Sequence, residues 1–386
     1  MISSTSGFGH VQPMLPLALA LRDAGHEVQW ATGADSCIRI EAAGIPATAV
    51  GLTNPDRIAR FRQRYPEAAD SQGEAPAPLE FARIFGEVAA PAAIDGLLAM
   101  AEAWAPDLMI HEAAEFAAPA VAARVGIPNA LHAYGYAVPV ERMVEAAERA
   151  DAMGHVGLPQ RPVGGCYDHL YIDIYPPSLQ PGDLSHLGRR VFRRPASGDA
   201  LPDDRLPDEV AAMIGADRPL VYLTFGTVFN VHETFGRAVA ALAGLPVNAV
   251  VTVGPNGDPA SLDLRAPNVH VARYVPQSLL LDHTAAVISH AGSGTLLATM
   301  AAGIPQLCLP QGADQFRNAA ACAGAGAGLA LLGAEATQSA IASSVERLLA
   351  EDSFRAAAAS LADEIGAMPD AAALVPVLED LAQAAT

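Results

Sequence analysis

Lysine is missing altogether, since all 23 basic residues of this 386-residue chain are arginine. With no side-chain primary amine there is no Schiff-base chemistry, no pyridoxal phosphate anchor and no P-loop lysine. Basic charge is itself scarce. Against 42 acidic residues it leaves a net charge of −19, a mean field that repels the phosphate backbone of a nucleic acid. The four cysteines, Cys37, Cys166, Cys308 and Cys322, are scattered with no C-x-x-C pair. That spacing argues against a disulfide framework or a zinc site and for buried thiols in a reducing cytoplasm. No apolar run approaches the ~20 residues of a membrane span, and no basic amphipathic patch marks a membrane surface. The N-terminus has neither the basic nor the apolar region of a signal peptide. It begins inside what reads as a strand, so a few further residues are expected before Ile2.

What the chain does contain is an α/β rhythm. At ~150 residues per domain its length predicts two domains. Short apolar runs (ISST, HEVQWAT, IPATAV) alternate with amphipathic stretches, the pattern of a parallel sheet with helical crossovers. In VQPMLPLALALRDAG, Met14, Leu17, Ala18 and Leu21 recur at helical spacing and Gly25 stands just past the end as a C-cap. Residues 51–80 lose periodicity and read as a long ligand-recognition loop, with Phe61 and Tyr65 available to an apolar group. A helix near 79–104, the strand PDLMIH, a helix through AAPAVAARVG and the strand IPNALH follow. Around RRVFRRPASGDALPDDRLPDE the chain turns polar and proline-rich, which places a domain boundary near Asp199. A second set of alternations then runs through RPLVYLTFG, VNAVVTVG, NVHVARYV, AAVISHAG, PQLCLP and GLALLG. Three helical stretches, 337–350, 352–366 and 370–385, close the chain. Two doubly wound sheets place a ligand beyond the strand C-termini, in the cleft between the domains.

Two glycine-rich turns each follow a strand and open a helix. SGFGHVQ has Gln12, and HAGSGTLL has Leu297, where a dinucleotide fingerprint needs its third glycine, so neither is a good NAD site. The second turn is nevertheless suited to an anion. Gly292 and Gly294 carry no Cβ to hold a phosphate off, the amides of Ser293 to Thr295 head a helix, and the helix dipole favours negative charge. Its plainer reading is a helix start packed closely on a strand. Downstream, Asp314 and Gln315 open the next helix beyond the next strand, where a carboxylate and an amide can hold a polyhydroxylated ring.

The segment HAGSGTLLATMAAGIPQLCLPQGADQFRNAA, residues 290–320, resembles the donor-site signature of GT-B nucleotide-sugar glycosyltransferases, especially those that glycosylate antibiotics in actinobacteria. The resemblance extends through GFGHVQPMLPLA, PDLMIHE, VYLTFGTV and RYVPQSLLL. It implies two Rossmann-like parallel-sheet domains facing a central cleft: an acceptor domain, residues 1–198, and a nucleotide-sugar domain, residues 199–386, with the last helix packing back on the first domain. It further implies that His290, Gly292, Ser293, Gly294 and Thr295 bind the diphosphate with help from Thr227. Tyr274 stacks on the base and the Val275 backbone reads its edge. Fixed amides and His290 then stabilise the leaving group in the role that Mg²⁺ plays in metal-dependent relatives, and no D-x-D triplet occurs, so no metal or other cofactor is expected. Many relatives place Glu where Ala298 stands, to grip the ribose. Its absence favours a dTDP-sugar over a UDP-sugar.

His10, after Gly7-Phe8-Gly9 at the end of the first strand, projects an imidazole into the cleft and is the natural general base. In the family an acid after the fourth strand orients the base. Here Glu112 fills that place, with Glu115 in reserve and His111 structural. The implied reaction is inverting transfer of a sugar to a hydroxyl of an apolar aglycone, with Phe8, Phe61, Phe85 and Tyr134 lining the acceptor site beside Phe81, Tyr65 and Tyr136. The resemblance admits a homodimer, and C- rather than O-glycosylation remains open. Two other readings stand beside this one. A sugar-nucleotide 2-epimerase would need several cleft carboxylates, and a non-catalytic helper subunit would be expected to lack the base or the donor turn.

Overall fold

A computed structural model describes residues 1–67, 80–180, 182–196, 205–214, 216–226, 233–254, 257–262 and 266–384. Two entirely parallel sheets organise them. The first has seven strands: β1 (Ile2–Ser3), β2 (Trp30–Thr32), β3 (Ala47–Ala49), β4 (Met109–Glu112), β5 (Asn129–His132), β6 (Leu170–Asp173) and β7 (Arg190–Phe192). Their spatial order is β3-β2-β1-β4-β5-β6-β7, with Ile2 in register with Ile110 and Ser3 with His111. The second has six: β8 (Leu220–Thr224), β9 (Asn248–Thr252), β10 (Val269–Ala272), β11 (Ala286–Ser289), β12 (Gln306–Cys308) and β13 (Gly328–Ala330), in the order β10-β9-β8-β11-β12-β13. The inner strands β4, β5, β8, β9 and β11 are buried at every position, as expected where helices cover both faces of a parallel sheet.

In each sheet the strand order reverses once, between β1 and β4 in the first and between β8 and β11 in the second. At such a reversal the crossover helices leave to opposite faces and open a crevice beyond the strand C-termini. The turn carrying His10 follows β1, Glu112 ends β4, and His290 follows β11. Topology thus puts the three residues at the two crevices.

The expected helix after β1 is present at Leu15–Asp23 with Leu17, Ala18 and Leu21 buried, and Gly25 beyond it takes φ +96°. The late helices run Gln338–Ala350, Asp352–Ala367 and Val375–Gln383. From the last, Val375, Leu378 and Leu381 share one apolar cluster with Ile2, Met14, Leu17 and Trp30 of the first sheet. Another cluster joins the halves, with Phe116, Leu131 and Tyr175 from the first beside Leu296, Met300 and Leu361 from the second. Polar ties reinforce it: Tyr175 Oη donates to Asn318 Oδ1 (3.3 Å), and the Arg194 amide donates to the Pro369 carbonyl (2.6 Å). Asp199, where composition places the domain boundary, lies outside the described residues.

Two expectations need correction. Residues 51–80 are not all loop, because Asn54–Arg64 is a helix. Thr53 caps it by accepting from the Asp56 amide (3.2 Å), and Pro55 sits in its first turn. Its inward positions are Arg57 and Phe61, so a charged residue stands on the buried stripe and the apolar period is masked. Secondly, the helix expected near 79–104 is present as Ala82–Trp104, opening with a π-helical segment, but against the expectation of no run approaching a membrane span it is long and apolar enough in composition to cross a bilayer. Instead it packs in the first half: Ala82, Ala90, Ile94, Leu97 and Ala101 are buried. At Gly86 the helix Val140–Ala150 comes so close that a Cβ would lie 2.3 Å from the Ala146 carbonyl oxygen.

Candidate active site

The turn after β1 is fixed residue by residue. Thr5 donates to Glu112 Oε1 from both its amide (3.1 Å) and its hydroxyl (2.8 Å). The Ser6 hydroxyl donates to Asp35, and the Gly7 amide donates to Ser36 Oγ (3.1 Å). Gly7 has φ +136°, a region side chains rarely adopt, and a Cβ there would press on His10 Cδ2 at 3.3 Å. His10 Nδ1 then lies 3.2 Å from Glu112 Oε1.

Glu112 is fully buried, which would raise its pKa. The charge and hydrogen bond of His10, with donation from Ala114 and Thr5, outweigh burial and hold the carboxyl below its ordinary range. Glu115 behaves oppositely. Burial pushes it up to about 7, despite the bonds it accepts from the Ser3 hydroxyl (2.6 Å) and the amides of Ala117 (2.8 Å) and Ala118 (3.1 Å). It therefore caps the helix Ala118–Val125 and does not reach His10. His111 is buried on β4, its Nδ1 3.2 Å from the Glu112 carbonyl oxygen, and desolvation pushes it down to about 4.

Around the imidazole, the rings of Phe85 and Tyr134 stand edge-on at 5.4 and 5.3 Å between centroids. Phe8 is half-exposed with the Arg39 guanidinium 4.4 Å over its ring. Phe61 departs from expectation. It is buried against Tyr65 (5.5 Å), whose hydroxyl donates to Glu87 of the helix Ala82–Trp104, so this pair ties two helices together and does not line the cleft.

The second turn opens the helix Ser293–Ala301, and no side chain caps its first amides. Ala291, just before it, is held at φ +60°, an unusual conformation for a residue with a Cβ, and Asn318 Nδ2 fixes it by donating to its carbonyl (2.9 Å). Gly226 and Gly292 bracket the His290 ring, since a Cβ on them would lie 2.9 Å from Cε1 and 2.4 Å from Nε2. Burial pushes His290 down to about 4, so it is a neutral hydrogen-bonding group near pH 7. Asp314 Oδ2 accepts from Ser293 Oγ (2.6 Å) and Asn318 Nδ2 (3.0 Å), which binds the two helix starts into one unit. Arg317 faces Tyr134, Tyr136, Asp314 and Arg142, and burial followed by Arg142 lowers its pKa.

Gln315 already has its carbonyl oxygen engaged. It is 2% exposed, and its Oε1 accepts from the amides of Gln311 (2.8 Å) and Gly312 (3.0 Å). Tyr274 is 49% exposed beside buried Val275 at the end of β10. Ala298 is buried beside Val210, Leu280 and Ile304, and Thr227 lies outside the described residues.

Residues that reading by motif misses complete the site. Gly135 follows Tyr134 and abuts the second turn, where a Cβ would lie 2.0 Å from Ser293 Oγ and 3.7 Å from Asp314 Oδ2. Asn318 stands one helical turn beyond Asp314, a spacing that marks it in retrospect.

Residues 19–187 match the family model for the N-terminal domain of erythromycin biosynthesis protein CIII-like proteins, and residues 237–381 match the C-terminal one. The L-demethylnoviosyl transferase of Streptomyces niveus is 32% identical over 385 residues, which cover 96% of this chain and 94% of the relative. The glycosyltransferase SnogD from Streptomyces nogalater shares the fold at a TM-score of 0.75 and 28% identity, with 99% of this chain and 98% of SnogD covered. The spinosyn rhamnosyltransferase SpnG, solved in complex with thymidine diphosphate, gives 0.77 and 29%, with 98% and 99% covered. Two crevices brought face to face, and likeness along nearly the full length, lead to one conclusion: the chain belongs to the erythromycin biosynthesis protein CIII-like family and is a GT-B glycosyltransferase.

Proposed function

We propose that this enzyme transfers a sugar, with inversion, from a thymidine diphosphate donor to a hydroxyl of an apolar aglycone, and that His10 is the base. The observation carrying this is the Tyr134-Gly135 step. One residue's ring borders the imidazole, and the next touches Ser293 of the second turn, so proton acceptor and anion site face each other across a single dipeptide. Because Nδ1 faces Glu112, Nε2 is the nitrogen that meets the acceptor. It takes the hydroxyl proton as the oxygen attacks the anomeric carbon opposite the diphosphate. The Glu112 carboxylate holds the tautomer and stabilises the imidazolium that forms.

As the glycosidic bond breaks, negative charge grows on the diphosphate. The amides of Ser293, Gly294 and Thr295 and neutral His290 stand ready to receive it without reorganisation. Arg317 supplies positive charge locally in a protein whose net charge is −19. Asp314 holds sugar hydroxyls, and Tyr274 offers an exposed ring to the base. Ala298 leaves no carboxylate for a ribose 2′-hydroxyl, and the thymidine diphosphate complex of SpnG supports the same nucleotide here. The aromatic wall of Phe8, Phe85 and Tyr134 suits an apolar acceptor, in keeping with the spinosyn aglycone complex of SpnG. An intact His10–Glu112 pair argues against a non-catalytic helper.

Thermal denaturation with thymidine diphosphate and with uridine diphosphate tests the donor half. Stabilisation should be greater with the thymidine nucleotide at equal concentration. No stabilisation by either would remove the proposal.

A further inference from the structure

Arg57 is a buried cation that this mechanism leaves without a task. It is 4% exposed, on the inward face of the helix Asn54–Arg64. Its Nη1 donates to the Ser6 carbonyl (2.9 Å) and its Nη2 to Asn54 Oδ1 (2.7 Å). The Asn54 amide donates to Asp35 Oδ2 (3.1 Å), and the Ser6 hydroxyl donates to the same carboxylate. Four residues from three segments thus close a ring of hydrogen bonds around the turn after β1. On its other side the guanidinium carbon stands 5.2 Å from the centroid of Phe85, the ring that borders His10. Its Nε is buried and makes no hydrogen bond among the described residues.

Scaffolding alone does not call for this residue. Withdrawing a guanidinium from water is costly, and apolar side chains of similar volume often replace buried charges without loss of stability. What an apolar residue cannot supply is a fixed positive charge beside the reacting pair. Such a charge opposes protonation of a nearby imidazole and favours ionisation of a nearby carboxyl, which is the state a general base needs before each turnover.

We propose that Arg57 is a positioning residue for the base. It holds the Ser6–His10 turn and the Phe85 ring in place, and its charge keeps the His10–Glu112 pair free to accept a proton. This rests on His10 being the base. Other groups face the same imidazole. Glu112 comes from the end of β4 with Glu115 behind it, Tyr134 follows β5, and Phe85 comes from the helix Ala82–Trp104. The helix Ala34–Ala42, which packs on the turn, adds Asp35 and Arg39 nearby. Asp35 is already bonded to Ser6 and Asn54, and Arg39 to Gln12 Oε1 (3.0 Å), so Arg57 is the cation that bridges the turn and the bordering ring.

The test needs no acceptor. In the full-length protein with labelled histidine, the imidazole resonances are followed by NMR from acid to alkaline pH, and the signal missing from His10→Ala identifies His10. In Arg57→Met the His10 midpoint should rise by about half a unit to one unit. In Arg57→Lys, which keeps the charge but not the fork, it should stay within about 0.3 units while the resonance broadens as the turn loosens. Arg57→Gln, whose amide can still reach the Ser6 carbonyl, removes charge alone and should shift like Arg57→Met.

An unchanged midpoint in a folded charge-neutral variant overturns the proposal. So does failure of both neutral variants to fold while Arg57→Lys folds, because Arg57 would then serve stability only. Full turnover by His10→Ala would instead overturn the assignment of the base, a result independent of these midpoints.

Discussion

His10 and Glu112 are 102 positions apart in the chain, and the mechanism separates what each does. General-base assistance contributes roughly 10²–10⁴ in rate. His10→Ala should therefore lose about that factor in kcat while the affinity for thymidine diphosphate, whose proposed site lies in the other half of the molecule, stays unchanged. Glu112→Gln should fall less in kcat, because the base remains. Both carboxylate oxygens now accept, Oε1 from Thr5 and Oε2 from Ala114, so an amide, which keeps only one acceptor, should destabilise the fold as well. Single-turnover rates beside calorimetric nucleotide binding check both, and equal, small losses in the two variants would contradict the division of roles. At this scale the sequence was a good guide wherever a residue stands in a dense motif. His10 and the turn from His290 to Thr295 sit where their motifs place them. Gln315 and Phe61 are buried in contacts of their own, because a short motif shows which residue is present but not which way its side chain turns. Two backbone amides claim the first and an aromatic neighbour the second.

Among the elements, the helix Asn54–Arg64 was the least legible and carries the most consequence. Its start was written in Thr53-Asn54-Pro55-Asp56, a cap followed by proline in the first turn, but four arginines in its length mask the apolar face. Thr53→Ala should cost about 1 kcal/mol of local stability. Hydrogen exchange across residues 54–64 measures it directly, with faster exchange expected there and none across Leu15–Asp23. Unaltered exchange in 54–64 would show that the Thr53 hydroxyl does not hold the helix. The strands β6 and β7 also escaped reading. β7 has three residues, is largely exposed at Arg190, and lies at the edge of its sheet, so it lacks the apolar run that marks an inner strand.

For the molecule as a whole, buried titratable groups make stability depend on pH. His111 and His290 are pushed down to about 4, and His132 well below its ordinary value, all chiefly by burial. An unfolded histidine titrates near 6.5, so the unfolded chain binds the extra protons. The stability these residues contribute is complete above pH 6.5 and is lost as pH falls towards 4. Glu115, raised to about 7, has the opposite sign: its contribution is complete below about 4.5 and is lost as pH rises to about 7. Asp173, raised by burial to about 6, acts in the same direction as Glu115, so three histidines stand against two carboxyls. Thermal midpoints should therefore fall between pH 6.5 and 4.5, and Glu115→Gln should steepen that fall by removing one of the two opposing contributions. A flat profile across this window would show that these histidines gain protons while still folded.

The sequence by itself determined the alternation of strand and helix, and hence two parallel sheets, because burial on both faces demands continuous apolar runs separated by amphipathic crossovers. It also determined the chemistry of the two turns, because glycines at a strand end and a histidine beside them are local requirements. Only the tertiary structure decided which residues share a site. The order reversal in each sheet sets one crevice against the other, and Gly135 has no Cβ to keep the second turn away. A buried arginine from a hidden helix holds the turn after β1 and stands against the Phe85 ring. Contacts between segments distant in the chain depend on packing and solvent exclusion, which no local pattern encodes.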